Sequence, residues 1–212
     1  MTTSSRLNNH NTKEIIMFRK IVVFFVRIFL SLWFKVEVEN VDRFEKLKTS
    51  CIVAPNHQSN WDSVLVPAFS KRVMYMMAKA ELFENKLFGA VLRGLKAFPV
   101  KRGKGDVTAV KTAVSLLQQG QSICMFPEGT RNKGDKPMKF KSGASRIATT
   151  AKVPILPVAI ISNFKFRGKV KIIYGEPIYF DDCYDKEMKK EDFREQIEKV
   201  EEAVKRLIEK NR

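Results

Sequence analysis

The amino-acid sequence predicts an α/β fold, in which a largely parallel central sheet is flanked by helices and preceded by an amphipathic helical arm. Three observations support this prediction. Short apolar runs alternate with helical patterns, a long apolar segment near the N-terminus carries evenly spaced basic residues, and 44% of the 212 residues are hydrophobic. A chain of this length and composition forms one globular domain, and its hydrophobic content excludes global disorder.

The N-terminal region divides into two segments. Residues 1–13 are polar and rich in serine, threonine and asparagine, which predicts a flexible terminus without regular structure. Residues 14–35 predict a helical arm, because 16 of the 20 residues from Ile15 to Phe34 are apolar. No small-residue cleavage site follows the apolar segment, so we do not interpret it as a signal peptide.

Basic residues interrupt the apolar arm at regular intervals. Lys13, Lys20 and Arg27 recur every seven residues and therefore share one face of a helix. The wide apolar face predicts an amphipathic helix that is embedded in the membrane, with its basic side chains reaching lipid phosphates. A spanning helix would instead bury Arg27 near the centre of the bilayer. The alternative is a helix that packs on the protein core.

Residues 36–212 predict a single α/β domain. Apolar residues at helical spacing fill 107–117, between two apparent strands, and Gly120 follows as a helix stop. Strand, helix and strand in this order predict parallel pairing. A mixed-charge amphipathic helix over 193–208 closes the domain. The predicted strands are 50–54, 73–77, 97–100, 122–126, 155–160 and 170–174.

The net charge of +16 lies entirely in the first part of the chain. Residues 181–212 hold 9 basic and 11 acidic residues, which leaves 30 basic and 12 acidic residues in 1–180. Such an excess attracts nucleic acid, anionic lipid or small phosphorylated ligands. Because no basic run is interleaved with stacking aromatics as in RNA-binding motifs, we expect no nucleic-acid partner.

Cysteine and histidine are too scarce for a disulfide framework or a metal site. The three cysteines are widely spaced, no CxxC motif occurs, and the chain has two histidines. Cysteines of this number and spacing favour free thiols. A zinc site needs a cluster of Cys, His or carboxylate ligands, so we expect no structural metal.

The first candidate site is the polar loop after the first predicted strand. Loops at the carboxyl ends of parallel strands are where α/β folds bind ligands. Ser59 and Asp62 form a capping-box pattern, which predicts that Ser59 starts a helix and that His57 precedes it in a turn. A turn allows Asp62 to orient His57 as a general base. The alternative is that Asp62 is only a helix cap.

The second candidate site follows another apparent buried strand. Glu128, Gly129, Thr130 and Arg131 place a carboxylate, a flexible backbone, a hydroxyl and a guanidinium suited to phosphate in four consecutive residues. The spacing of Gly129 and Gly134 is superficially that of a nucleotide-binding P-loop, but the Lys and Ser/Thr of that motif are missing after it. The alternative is a solvated turn with an ion pair.

Three sequence blocks in order resemble the glycerolipid acyltransferase family, most closely the bacterial lysophosphatidate acyltransferases. The blocks are Asn-His-x-Ser-x-x-Asp over 56–62, Phe-Pro-Glu-Gly-Thr-Arg over 126–131 and Val-Pro-Ile-Leu-Pro-Val over 153–158. The resemblance extends over about residues 35–180. It implies that residues 36–212 form a catalytic acyltransferase domain.

The resemblance also implies roles for the residues of the first two blocks. His57 would deprotonate the acceptor hydroxyl and Asp62 would orient it. The block containing Gly129 and Thr130 would bind the glycerol phosphate acceptor, with Glu128 contacting a glycerol hydroxyl and Arg131 contacting the phosphate.

Two further basic residues match phosphate-binding positions of the family. These are Lys79 and Arg102. The block that leads to Arg102 begins with glycine in the family, whereas this chain has Lys96 at that position.

The implied reaction moves a fatty acyl group from acyl-coenzyme A or acyl carrier protein to the sn-2 hydroxyl of lysophosphatidate, giving phosphatidate. Transfer from a thioester to an alcohol is downhill, so we expect no cofactor and no covalent nucleophile. Basic runs at 101–104, 133–141 and 165–171 either meet the acidic carrier or anionic lipid or are solvated faces.

Alternatives remain for both the acceptor and the class of protein. The acceptor can instead be glycerol-3-phosphate or another lysophospholipid, and a non-catalytic basic binding protein is the remaining possibility. We expect the enzyme to be monotopic at an anionic membrane surface, on the cytoplasmic face where thioester donors are made.

Overall fold

The computed structural model of the protein describes residues 3–101, 106–132, 139–184 and 186–212. The strands are β1 Lys35–Glu39, β2 Ile52–Pro55, β3 Met74–Lys79, β4 Ala97–Val100, β5 Ser122–Cys124, β6 Ile155–Ser162 and β7 Lys169–Tyr174. The α-helices are α1 Thr3–Trp33, α2 Asp42–Glu45, α3 Asp62–Ala68, α4 Lys86–Gly94, α5 Val107–Gln118, α6 Gly143–Ala151 and α7 Lys190–Asn211.

The described strands form one sheet in the order β1-β7-β6-β2-β5-β3-β4. Every neighbouring pair is parallel except β6 and β7, which run antiparallel with Val158 opposite Tyr174. The predicted α/β fold with a largely parallel sheet is therefore confirmed. Because β2, β5 and β6 are parallel to one another, the loops that follow them lie at the same edge of the sheet.

Strand β1 is the one strand of the sheet that the sequence patterns did not predict. In this strand Val36 and Val38 alternate with Glu37 and Glu39, so it has no continuous apolar run. Such alternation suits an edge strand with one solvated face. β1 occupies that position and pairs with β7 alone.

Helices cover both faces of the sheet and enclose two apolar layers. On one face α5, α6 and α7 pack over the sheet, with Ala113, Ile147 and Val200 buried between them. On the other face Leu30 of α1 and Leu65 of α3 are fully buried against the strands. Both layers contain strand residues, because successive side chains of a strand point to opposite faces.

Helix α1 extends from Thr3 to Trp33 and therefore includes residues 3–13, for which the sequence patterns predicted no regular structure. No glycine or proline interrupts it. Within the part of the chain that the structure describes, no helix has the length and apolar character that a membrane span needs.

The C-terminal part of α1 packs on the domain, while its other face is apolar and exposed. Leu30 and the following Phe34 belong to the buried core. The alternative of a core-packed helix thus applies to one face only. Among residues 17–33 of α1, the exposed large apolar side chains are Met17, Phe18, Ile21, Phe24, Phe25, Ile28, Phe29, Leu32 and Trp33.

Candidate active site

The loop that carries His57 leaves the carboxyl end of β2 and is held by a neighbouring strand. The side-chain amide of Asn56 donates to the carbonyl of Ile160 at 2.9 Å, and its oxygen accepts from the N–H of Ile160 at 2.7 Å. This pair of hydrogen bonds connects the loop to β6. The backbone next to His57 is therefore fixed by the sheet.

His57 and Asp62 lie in direct contact. His57 Nδ1 is 3.0 Å from Asp62 Oδ2, and both side chains are buried. The same carboxylate oxygen accepts the N–H groups of Gln58 and Ser59, each at 2.7 Å. The structure thus brings together the two residues of the first motif.

The start of α3 differs from the capping-box prediction. The helix begins at Asp62, and residues 59–61 form a turn before it. Half of the capping box is present, because Asp62 accepts the N–H of Ser59. The other half is absent, since the Ser59 hydroxyl accepts the N–H of Trp61 at 3.3 Å instead. The turn is what brings Asp62 back to His57.

Two contacts hold the imidazole ring of His57, one on its face and one at Nδ1. Its ring stacks on Phe126, with 4.0 Å between centroids and 19° between the planes. A carboxylate at Nδ1 favours the tautomer with the proton on that nitrogen. Nε2 is then the atom that accepts a proton.

His57 borders a cavity of about 400 Å³ at the carboxyl edge of the sheet. The charged residues of its lining are three lysines, Lys79, Lys101 and Lys141, and one aspartate, Asp106, so lysines outnumber carboxylates there. A concave site with a few convergent polar groups among apolar ones is typical of small-molecule binding. The apolar part of the lining consists of Met77, Ala78, Val100, Ala109, Val110, Met125, Phe126, Pro127, Ala144 and Ile147.

The residues of the second motif do not all reach the cavity. Gly129 lines it and adopts a φ of +72°, which favours glycine. A Cβ at this position would lie 2.8 Å from Lys141 Nζ, so glycine also permits the close approach of the lysine. Thr130 and Arg131 are exposed and lie outside the lining. Arg102 lies outside the described residues.

Glu128 lies outside the cavity lining and is 1% exposed. Its Oε1 accepts the backbone N–H of His57 at 2.8 Å. Its Oε2 is buried and has no hydrogen-bond partner among the described residues. Burial disfavours the charged form and raises the pKa of Glu128 to about 7. In this geometry Glu128 holds the backbone of the His57 loop. The glycerol contact that the resemblance implied stays a prediction.

Lys101 and Lys141 were not among the predicted site residues. Each belongs to a basic run, and charge alone does not distinguish a cavity residue from a solvated one. The backbone N–H of Lys141 donates to the carbonyl of Pro127 at 2.9 Å, which brings the lysine beside the second motif. This long-range contact has no local sequence signal.

Lys96 keeps the turn geometry that the family glycine would favour. Its φ is +67°, in the left-handed region. Its N–H donates to the carbonyl of Arg93 at 2.9 Å, and its carbonyl accepts the N–H of Met76 at 3.0 Å. The turn into β4 is therefore present despite the substitution.

Two of the three cysteines, Cys51 and Cys124, are buried. Cys124 is fully buried, and burial raises the pKa of its thiol well above the usual value. No group of three or more His, Cys, Asp or Glu side chains is assembled in the part of the chain that the structure describes.

Known proteins are similar to this chain in sequence and in fold. The profile of the acyltransferase family matches residues 35–161, which run from the start of β1 almost to the end of β6. The matched region is more than half of the chain and contains both candidate motifs. The sheet and its site therefore define an acyltransferase domain, and the chain belongs to the acyltransferase family.

Individual relatives agree with this assignment. A 1-acyl-sn-glycerol-3-phosphate acyltransferase of Bacillus subtilis is 36% identical over 163 residues, which cover 73% of this chain and 79% of the relative. The protein of the same name from Streptococcus pneumoniae is 31% identical over 180 residues, which cover 82% of this chain and 66% of the relative. These relatives are O-acyltransferases, and the enzyme class that the sequence blocks predicted is confirmed.

A solved structure extends the similarity to the whole chain. The crystal structure of the 1-acyl-sn-glycerophosphate (LPA) acyltransferase PlsC from Thermotoga maritima superimposes with a TM-score of 0.69 and 28% sequence identity. The superposition covers 100% of this chain and 84% of that one. Fold and family thus agree.

Proposed function

We propose that this acyltransferase moves a fatty acyl group from an acyl thioester to the free sn-2 hydroxyl of lysophosphatidate, giving phosphatidate. The observation that carries the proposal is the buried contact of 3.0 Å between His57 and Asp62 at the edge of a cavity with three lysines. A base beside a cationic cavity fits an acceptor that has both a hydroxyl and a phosphate. The names of the relatives support this choice of acceptor.

In the proposed reaction His57 acts as the general base. Nε2 takes the proton of the acceptor hydroxyl while the hydroxyl oxygen attacks the thioester carbonyl. The tetrahedral intermediate then collapses, the carbon–sulfur bond breaks, and the imidazolium returns the proton to the leaving thiolate. Asp62 stabilises the imidazolium and fixes its orientation. The products are the ester and the free thiol.

The cavity offers one surface to the phosphate of the acceptor and another to the acyl chain of the donor. The ammonium groups of Lys79, Lys101 and Lys141 are suited to the phosphate. Lys79 also pairs with Glu81 at 3.1 Å, so it exchanges one anionic partner for another when phosphate binds. The apolar lining is suited to the reacting end of the acyl chain. We retain Arg131 and Arg102 as proposed phosphate contacts.

The proposed reaction uses no cofactor and no acyl-enzyme intermediate. Its energy comes from the thioester, which is either acyl-coenzyme A or acyl carrier protein. The raised pKa of the buried Cys124 thiol supports direct transfer, because a protonated thiol is a poor nucleophile.

We also propose that the enzyme is monotopic and works at an anionic membrane surface on the cytoplasmic side. The exposed apolar face of α1 supports this location. So do the +16 charge and the lipid nature of the proposed acceptor. The substrate then reaches the site from the membrane in which it resides.

The test of the function is thiol release from acyl-coenzyme A by detergent-solubilised protein, with and without lysophosphatidate. We expect release that depends on the acceptor. His57→Ala should lower the rate by about 10²- to 10⁴-fold, the usual contribution of a general base. The matched control is His10→Ala, which changes the other histidine of the chain and should keep the wild-type rate.

Two outcomes would contradict the proposal. A His57→Ala protein with the wild-type rate would show that His57 is not the base. Release that requires glycerol-3-phosphate or another lysophospholipid would reassign the acceptor. An absence of release with coenzyme A leads to the same assay with acyl carrier protein as the donor, and failure with both donors would refute acyl transfer.

A further inference from the structure

The loop between β6 and β7, residues 163–168, projects from the catalytic edge of the sheet. β6 runs parallel to β2, so this loop leaves the sheet at the same edge as the loop of His57. Phe166 lies at its tip and is 66% exposed, the highest value for a large hydrophobic side chain in the described part of the protein. An aromatic side chain held in water at this position requires an explanation.

The backbone of the loop is strongly constrained. Phe164 and Arg167 have φ values of +51° and +58°, which are uncommon for residues with side chains. The N–H of Gly168 donates to the carbonyl of Lys165 at 2.8 Å, and Asn163 Oδ1 accepts the N–H of Lys165 at 3.1 Å. The loop is thus closed by its own hydrogen bonds, and the uncommon φ values lie at the two residues on either side of its tip. Such strain is concentrated at functional sites.

The same loop is attached to the end of α1. The backbone N–H of Arg167 donates to the carbonyl of Trp33 at 2.7 Å, and its guanidinium donates to the carbonyl of Leu32 at 3.3 Å. The ring of Phe166 meets the ring of Trp33 edge to face, with 5.1 Å between centroids. The loop and the last turn of α1 therefore form one continuous surface.

The composition of this surface matches the interface of a lipid bilayer. Its apolar part consists of Phe166, Trp33, Leu32 and Phe29, all exposed. The exposed Lys165 adjoins Phe166 in the loop. Aromatic rings beside basic side chains are typical of proteins at the level of the lipid headgroups. A lipid surface is the partner whose chemistry complements both parts.

We propose that the loop of residues 163–168 is a second membrane contact, in which Phe166 inserts between lipid chains and Lys165 meets anionic headgroups. This inference rests on the proposed membrane association of α1 and makes it more specific. Two contacts fix an orientation that a single helix does not. The catalytic edge of the sheet, with the cavity of His57, then faces the lipid.

The test is sedimentation of the full chain with vesicles of equimolar phosphatidylcholine and phosphatidylglycerol. Phe166→Ser should weaken binding by about tenfold, because one aromatic side chain no longer leaves water. The matched control is Tyr179→Ser, because Tyr179 is an aromatic residue that is 50% exposed. It lies at the opposite edge of the sheet, since the preceding Ile178 pairs with Ile155 at the start of β6. This variant should bind as the wild type does.

Two more variants separate the two parts of the contact. Lys165→Glu should weaken binding to the mixed vesicles and leave binding to pure phosphatidylcholine unchanged. Phe166→Leu should bind within about twofold of the wild type, because it keeps most of the apolar area. Normal binding of Phe166→Leu together with weak binding of Phe166→Ser separates loss of insertion from misfolding.

Three outcomes would overturn the inference. Wild-type affinity of Phe166→Ser would mean that α1 alone contacts the lipid. Equal losses in Phe166→Ser and Tyr179→Ser would mean that the effect is not specific to the loop. If the wild-type protein does not sediment with vesicles, the surface does not bind lipid, and a protein partner becomes the alternative. The assay contains no donor or acceptor, so its failure is distinct from failure of the acyl-transfer test with His57→Ala.

Discussion

The Glu128 carboxyl group is almost completely buried, and only its Oε1 atom has a hydrogen-bond partner in the described structure. Burial therefore favours the neutral carboxyl more strongly than water does. Burial raises the pKa of Glu128 from 4.5 to about 7. The residue that holds the His57 loop thus links the stability of the protein to pH.

The pH dependence has a definite sign. The stabilisation from the neutral form is fully present below pH 4.5 and is lost as pH rises through about 7. Glu128→Gln keeps an oxygen for the His57 N–H and removes the titration. Chemical denaturation should show that, as pH rises between these values, the free energy of unfolding of the variant increases relative to that of the wild type by up to about 3 kcal/mol. This difference is the free-energy equivalent of the pKa shift. Two stability curves that stay parallel over this range would contradict the raised pKa.

Lys141 gives a second prediction at this scale, concerning substrate affinity. Lys141→Met keeps the apolar stem and removes the ammonium group from the cavity. A lost ionic contact with the phosphate should raise the KM for lysophosphatidate by about tenfold or more, with a much smaller change in kcat. The control is Lys111→Met, because Lys111 is exposed on α5 and lies outside the cavity lining. An unchanged KM in Lys141→Met would mean that other basic residues bind the phosphate, namely Lys79, Lys101, Arg102 or Arg131.

At the scale of single elements, the contact between α7 and the sheet is unusually close. Gly175 follows β7 and donates its N–H to the carbonyl of Pro157 at 2.8 Å. A Cβ at this position would lie 2.9 Å from Pro157 Cγ and 3.1 Å from Leu207 Cδ1 of α7. The helix can lie this near because glycine has no side chain.

Gly175→Ala tests this packing. The added methyl group would lie too close to the side chains of Pro157 and Leu207 and should lower the free energy of unfolding by about 1–3 kcal/mol. Gly143→Ala is the control, since no atom lies within 4 Å of a Cβ there and the residue starts α6. Urea denaturation should show that the control is at least as stable as the wild type. Equal stability of the two variants would mean that the α7 contact adjusts freely.

The sequence predicted those elements whose side chains carry a periodic signal of their own. The buried strands of the sheet interior and helix α5 have continuous or helical apolar patterns. β1 has neither, because Glu37 and Glu39 face solvent between its valines. The start of α3 also differed from the prediction. Ser59 was predicted to start the helix, whereas the helix begins at Asp62, whose carboxylate accepts the N–H groups of the preceding turn.

At the scale of the whole molecule, the site depends on contacts between distant segments. The spacing of His57 and Asp62 is local, so the sequence offered their contact as one interpretation, beside the alternative that Asp62 is only a helix cap. The sequence did not predict the approach of Lys141 to Gly129, nor the bond from His57 to Glu128, because both depend on how separate loops meet at one edge of the sheet. The order of the strands in the sheet brings these groups together, and no local pattern in a single sequence encodes that order.

The same topology sets the order in which the enzyme forms during synthesis. Asn56, beside His57, is bonded to Ile160, and the two residues are 104 positions apart. At about 5–20 residues per second, the ribosome needs on the order of 5–20 s to make the chain between them. Helix α1 and the His57 loop are complete before β6 exists. A nascent chain therefore carries the His57 loop for some seconds before β6, the strand whose Ile160 holds Asn56, has been made.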